Sequence, residues 1–345
     1  MTKVKQKKEV ITLFVTVGII TIFIFFYPII QPRIYSALYN NFSIISNRGN
    51  LLVHFITVGQ GDAIAINLPD GKVMLIDAGP TDSNVSLTTY INEKVINSKL
   101  NKRIDYFVMT HADSDHIGGA LRLLQTFEVD TIYMPVVTEE TATYSELYDY
   151  IYENDYNLIN NVDAEDIIKS NYTIEFFGPI DTVDENDSCQ IIRIEYMAHS
   201  FIFTGDISSE IENEYVKTYG ELLDSDVLKV AHHGSKYSSS IEFVEAVSPK
   251  YAVISCGPNS YGHPTQEAIS SISSTGATIL RTDNDGNIVF AVGDYYDLSV
   301  KTGEYGITGV ILDYRILILI IDGVLIFCAV KRLLQEKRSK KRKYQ

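Results

Sequence analysis

Four residues able to ligate a metal crowd into the six positions from His111 to His116: His111, Asp113, Asp115 and His116, directly after the apolar segment Ile104–Met109. No ordinary core accommodates such a run. Ionised groups packed this densely destabilise a fold unless they are paired or metal-bound. A loop that only caps the following helix needs one Asp or Ser, not two histidines beside two aspartates. Imidazole and carboxylate together suit borderline divalent ions such as zinc or manganese. The run therefore predicts a metal site on a loop leaving a strand, where rigid scaffolds place reactive groups.

Other apolar segments end in the same way. Leu51–Val58 runs into Gly59-Gln60-Gly61-Asp62. Ala63–Leu68 closes in Pro69-Asp70-Gly71, a hairpin signal ahead of Val73–Ile76, which stops at Asp77. Phe201–Thr204 leads to Gly205-Asp206, Val227–Ala231 to His232-His233, and Tyr251–Ser255 to Cys256-Gly257-Pro258. Helical spacing covers 87–100, 117–127, 145–154 and 266–274. Strands tipped with chemistry and separated by helices predict an α/β fold of sheets covered by helices.

Taken singly, these residues carry less. Asp206 reads as a turn or helix-cap residue, or, beside the cluster, as a carboxylate bridging two metals. Adjacent histidines on a continuing strand face opposite ways, so one of His232 and His233 reads as a ligand and the other as a substrate contact. His263, in Gly-His-Pro, serves either a structural or a catalytic role. Asp62 and Asp77 orient a ligand or cap a helix.

The flanks differ from the middle. Residues 1–9 and 331–345 are basic, by +3 and +7, so a total formal charge of −15 leaves about −25 between them. That acidity opposes nucleic acid at long range unless metal ions or a local patch reverse it. Residues 10–30 carry no charge and are long enough to span a bilayer. Residues 307–330 are interrupted by Asp313, Arg315 and Asp322, but a basic block follows at once, which favours a second spanning helix over an amphipathic surface helix. Asp322 in that helix calls for a membrane-protein partner or water. The expected order is a basic cytoplasmic end (1–9), a transmembrane helix (10–30), a linker (31–49), a hydrolase domain (50–300), a second transmembrane helix (307–330) and a basic cytoplasmic tail (331–345). The domain then lies outside the cell membrane. Cys189, Cys256 and Cys328 form no CxxC, and a Cys189–Cys256 disulfide has no support.

In order, Gly-Gln-Gly-Asp, Ile-Asp-Ala-Gly, Thr-His-x-Asp-x-Asp-His-x-Gly-Gly, Thr-Gly-Asp, His-His-Gly-Ser and Gly-His-Pro resemble the metallo-β-lactamase superfamily. Within it they are similar to the hydrolase domain of ComEC-type competence proteins, from Asn50 to Val300. The resemblance implies an αβ/βα sandwich with two divalent metal ions. His111 and Asp113 would serve one ion, Asp115 and His116 the other, with Asp206 bridging and His232 completing the shell of the second ion. Asp113 stands where the superfamily usually has a histidine, and Asn186-Asp187-Ser188 stands where it has another. That departure implies a weakly held first ion, or manganese in place of zinc. ComEC-type proteins also carry a multi-helix channel that two spanning segments cannot form, so DNA import is not expected of the chain alone.

The resulting expectation is a membrane-anchored binuclear-metal hydrolase acting on a phosphodiester, either nucleic acid such as DNA or a cell-envelope polymer such as teichoic acid. A metal-activated hydroxide is the nucleophile, with His233 and His263 alongside Asp115 in catalytic roles. A non-catalytic binding or assembly module and a hydrolase of esters, thioesters or lactams are the competing readings.

Overall fold

The computed structural model describes residues 49–96, 102–135, 137, 141–180, 186–293 and 298–303. All belong to one compact unit, Ile44–Glu304. The segments 10–30 and 307–330 and the basic ends lie outside the described residues. Among the described residues, no helix is long and apolar enough to cross a membrane.

Alternation along the strands builds four layers. The first sheet takes β1 (Leu51–Phe55), β2 (Ile64–Asn67), β3 (Val73–Ile76), β4 (Arg103–Val108), β5 (Glu128–Met134) and β6 (Asn157–Asn160). The second takes β7 (Ile167–Ile168), β8 (Tyr172–Phe177), β9 (Ile191–Tyr196), β10 (His199–Phe203), β11 (Val227–Lys229), β12 (Tyr251–Ile254) and β13 (Thr278–Arg281). The chain then returns to the first sheet with β14 (Ile288–Val292) and β15 (Leu298–Thr302), giving the order β15-β14-β1-β2-β3-β4-β5-β6. Leu51, Val53 and Phe55 of β1 face Phe201, Phe203, Val227 and Val253 across the gap between the sheets. The opposite faces pack under helices. Ala65 and Phe107 meet Leu87, Leu123 and Leu147, while Ile202, Leu228 and Ile254 meet Ile211, Val244 and Ile272. Period-two patterning with both sheet faces covered is what makes this sandwich.

The predicted hairpin is present: β2 and β3 pair antiparallel around Pro69-Asp70-Gly71, with Asn67 opposite Val73. Sequence spacing over 117–127 suggests one helix, but the structure has two short ones, Ser114–Ile117 and Ala120–Leu124. Close approach explains the break. A Cβ on Gly118 would meet Ser114 O at 2.4 Å and Thr81 N at 2.5 Å, and one on Gly119 would meet Ala78 O at 2.3 Å. The backbone after β3 is pressed against this turn, and only glycine leaves room. The helices Ser209–Tyr219 and Ile241–Val247 cover the second sheet.

β3, β4, β5 and β6 run parallel to one another, and so do β10, β11, β12 and β13. Parallel strands deliver their carboxyl ends to one edge, and there Asp77, His111, Asp206 and His233 follow β3, β4, β10 and β11. Phe290 of β14 is fully buried between the sheets, edge-on to Phe55 and Phe201 at 6.0 and 5.9 Å. Phe290→Ala is expected to cost about 3–5 kcal/mol of unfolding free energy in urea titrations; a loss near zero would contradict this packing.

Candidate metal centre

Asp77 organises the cluster. Its Oδ1 accepts from the Thr110 backbone N–H at 2.8 Å, and its Oδ2 accepts from the Thr110 hydroxyl and from His116 Nδ1, each at 2.8 Å. Thr110 Oγ1 in turn lies 3.0 Å from His111 Nδ1. With the hydroxyl proton committed to Asp77, Thr110 accepts from the His111 ring. Both imidazoles are thus fixed with Nδ1 protonated and Nε2 turned into the site, the arrangement that carboxylates impose on metal-binding histidines. Asp77 achieves this at φ 57°, a left-handed backbone that aspartate tolerates better than most residues.

The histidine pair reverses the expected order. The strand stops at Lys229, and His232 and His233 both take left-handed backbone, at φ 50° and 53°. His233 turns inward. Its Nδ1 donates to the Ser255 carbonyl at 2.8 Å, and its Nε2 lies 3.2 Å from Asp115 Oδ2 and 3.3 Å from Asp206 Oδ2. His232 stays at the mouth, 4.0 Å from Asp206 and edge-on to His263 at 5.5 Å. The inner ligand position implied for His232 is therefore occupied by His233. Opposite facing, as on a continuing strand, fails as an argument because the chain is already turning.

Asp206 stands centrally: Oδ1 is 3.4 Å from His116 Nε2, and Oδ2 faces His233. His111 and His116 stack with ring centroids 4.0 Å apart, and Asp113 Oδ2 is 3.7 Å from His111 Nε2. The Nε2 atoms of His111, His116 and His233 and the Oδ1 atoms of Asp62 and Asp206 are buried without a hydrogen-bond partner. Orphaned donors and acceptors at this density are costly unless something binds them. A divalent cation fits that set: ligand atoms of His111, His116 and Asp206 lie within 4.8 Å of one another, as do those of Asp115, His116 and His233. Burial opposes charge on His116 and His233, yet the facing carboxylates, led by Asp206, hold both rings above the usual histidine range, His233 at about 10. Burial likewise opposes ionisation of Asp115, but the His233 and His116 rings hold its carboxyl down at about 2. Carboxylates that stay ionised and hold cationic rings beside them would equally hold a metal cation in place of those ring protons.

A cavity of about 540 Å³ opens above, lined by Asp113, Asp115, Asp206, His232, His233 and His263 among others. The loop carrying His263 is organised by Asn259, whose Oδ1 accepts from the backbone N–H groups of Tyr261, Gly262 and His263 at 2.9–3.1 Å. Asp187, in the stretch that lacks the expected histidine, accepts from Ser208 N at 2.8 Å. Cys189 and Cys256 are buried free thiols, so no disulfide links them. Sequence reasoning passed over Lys229, which lies in an apolar run yet is buried against Asp62 beside the site.

Glu212 fixes the segment after the histidine pair, accepting from Ser239 N and Ser240 N at 2.7 Å each. Burial pushes its carboxyl from an ordinary 4.5 up to about 7, against the pull of those two donors. Between these values the folded chain holds a proton that the unfolded chain has released, so the contribution favours folding below about pH 4.5 and is lost as pH rises through 7. Unfolding free energy should fall more steeply over that window in the natural chain than in Glu212→Gln, and equal slopes would contradict the assignment. Asp77→Ala should lower metal affinity by about 10–100-fold, because His116 and Thr110 lose their common acceptor; calorimetric titration showing unchanged affinity would refute the orienting role.

Comparison with known proteins agrees with this geometry. The family model described as the metallo-beta-lactamase superfamily matches residues 56–257. The chain is 32% identical over 255 residues to ComE operon protein 3 of Bacillus subtilis (strain 168), covering 69% of this chain and 32% of that protein. It is 33% identical over 198 residues to Competence protein ComA of Neisseria gonorrhoeae, covering 56% and 26%. Among solved structures, the metallo-beta-lactamase fold protein YhfI from Bacillus subtilis aligns over 69% of this chain and 98% of its own, at 14% identity and a TM-score of 0.46. The chain spans less than a third of the length of either curated relative. The divalent-metal chemistry that this fold implies thus meets a fitting set of side chains, and the chain belongs to the metallo-beta-lactamase superfamily.

Proposed function

We propose that the chain is a metal-dependent phosphodiesterase working at an extracytoplasmic membrane surface. The observation that carries the reading is Asp206, whose Oδ1 faces His116 and whose Oδ2 faces His233 at the floor of an open cavity. Asp206 completes one grouping of ligand atoms with His111 and His116, and its Oδ2 faces the His233 of a second with Asp115 and His116, so the carboxylate stands where it can join two ions. Divalent ions held there would activate a water for attack and screen the charge of phosphoryl oxygens.

The protein's own groups fill the remaining roles. His233 holds its Nε2 in place through Ser255, while His232 and His263 stand at the mouth, where a leaving group would depart. Among the described residues neither cysteine competes as nucleophile: burial pushes the thiols of Cys189 and Cys256 up, the latter to about 11, so neither supplies a thiolate. Substrates are phosphodiesters of nucleic acid or of the cell envelope, such as teichoic acid. The exposed Tyr261 ring at the mouth offers a stacking face to a base, whereas the acidity between the basic ends opposes a long polyanion. Membrane placement rests on the uncharged segment 10–30 and the basic blocks alone.

The test is to assay the full-length chain, with manganese or zinc, against bis(p-nitrophenyl)phosphate, single-stranded DNA and teichoic acid in parallel. Diester hydrolysis is expected, and Asp115→Ala and His116→Ala should each abolish it while circular dichroism stays unchanged. Metal-independent turnover, or full activity in both variants, would sink the proposal; metal binding without turnover on any substrate would favour a binding module.

A further inference from the structure

Lys229 breaks the pattern of its own strand. On the second sheet, the positions turned toward the first are apolar at Phe201, Phe203, Val227 and Val253, yet Lys229, two residues after Val227, shares their face. Its side chain is 1% exposed. A buried ammonium is costly unless carboxylates meet it, and here they do. Lys229 Nζ pairs with Asp62 Oδ2, lies 3.9 Å from Asp206 Oδ1 and reaches Gly205 O at 3.4 Å. The charge remains despite burial because Asp62 and Asp206 raise the lysine's pKa above its usual value.

Its position has a consequence for where ions can sit. Four groupings of side chains place their ligand atoms within 4.8 Å of one another, and Asp62 completes two of them, one with Asp206 and His233 and one with Asp77 and His116. Those two meet at Asp62, where the lysine already stands. The other two, with His111 or with Asp115, do not use Asp62 and are free of the lysine. Charge agrees: two divalent ions and one ammonium balance the carboxylates of Asp62, Asp77, Asp113, Asp115 and Asp206.

We propose that the Lys229 ammonium is a resident cation of the centre, filling the carboxylate position at Asp62 and confining exchangeable divalent ions to the two groupings that do not use Asp62. The proposal rests on the metal-binding reading above, with Lys229 as a positioning residue. The experiment measures Mn²⁺ bound per chain, by equilibrium dialysis and elemental analysis, and the Mn²⁺-induced rise in Tm. Full-length natural chain, Lys229→Met and the paired Asp62→Asn/Lys229→Met variant are compared. Lys229→Met should bind one more equivalent than the natural chain and show a larger rise in Tm, since an ion takes the vacated place. The paired variant, which removes the Asp62 carboxylate together with the ammonium, should bind the natural number. Equal stoichiometry and equal rise in Lys229→Met would overturn the proposal. If Lys229→Met cannot be obtained folded, the paired variant decides: natural stoichiometry supports the proposal, and loss of the ions overturns it. A natural chain that binds no Mn²⁺ would instead defeat the metal-centre reading itself.

Discussion

One buried carboxylate holds the site together. Asp77 accepts three hydrogen bonds at 2.8 Å, two from Thr110 and one from His116, and so ties the end of β3 to the end of β4 and to the first turn after it. Without it the His116 Nδ1 is left buried and unpaired, and the Thr110 hydroxyl that orients His111 loses its own acceptor. The backbone repeats the tie, with Asp77 N donating to Val108 O and Ala78 N to His116 O. Hydrogen bonds to an ionised acceptor are among the stronger ones proteins make, and removing the acceptor leaves several donors stranded at once.

From that anchor the sandwich completes the centre. The first sheet contributes His111, Asp113, Asp115 and His116 from one loop, and the second sheet brings Asp206 and His233 from two neighbouring strand ends. The junction is secured across the sheets by Gln190 N donating to Thr110 O and by the Lys229–Asp62 pair. Consecutive left-handed histidines carry a cost of roughly 1–3 kcal/mol each. Ser255 and Glu212, which bond the His233 ring and the segment beyond it, hold the strained conformation in place.

The site was legible in the sequence to the extent that it is written as local density. Four ligand-type side chains in six positions have few explanations, and apolar runs ending in Asp or His point to strand ends. What stayed hidden depends on backbone turns and on contacts distant in sequence. The inward turn of His233 follows from two left-handed residues that period-two reasoning does not anticipate. Lys229 was invisible inside an apolar strand because its partner, Asp62, comes from the other sheet, 167 positions earlier. The helix break at Gly118-Gly119 likewise reflects the approach of residues 78–81 and no local helix-stop signal. The fold class, by contrast, was carried by alternation and hairpin chemistry that act over short distances.

The proposed hydrolysis requires two ions at Asp206. Electron paramagnetic resonance of the full-length chain during stepwise Mn²⁺ addition addresses this directly. Two bound equivalents with an exchange-coupled signal are the expected result. A chain that retains no Mn²⁺, or holds two ions with no coupling between them, would contradict it.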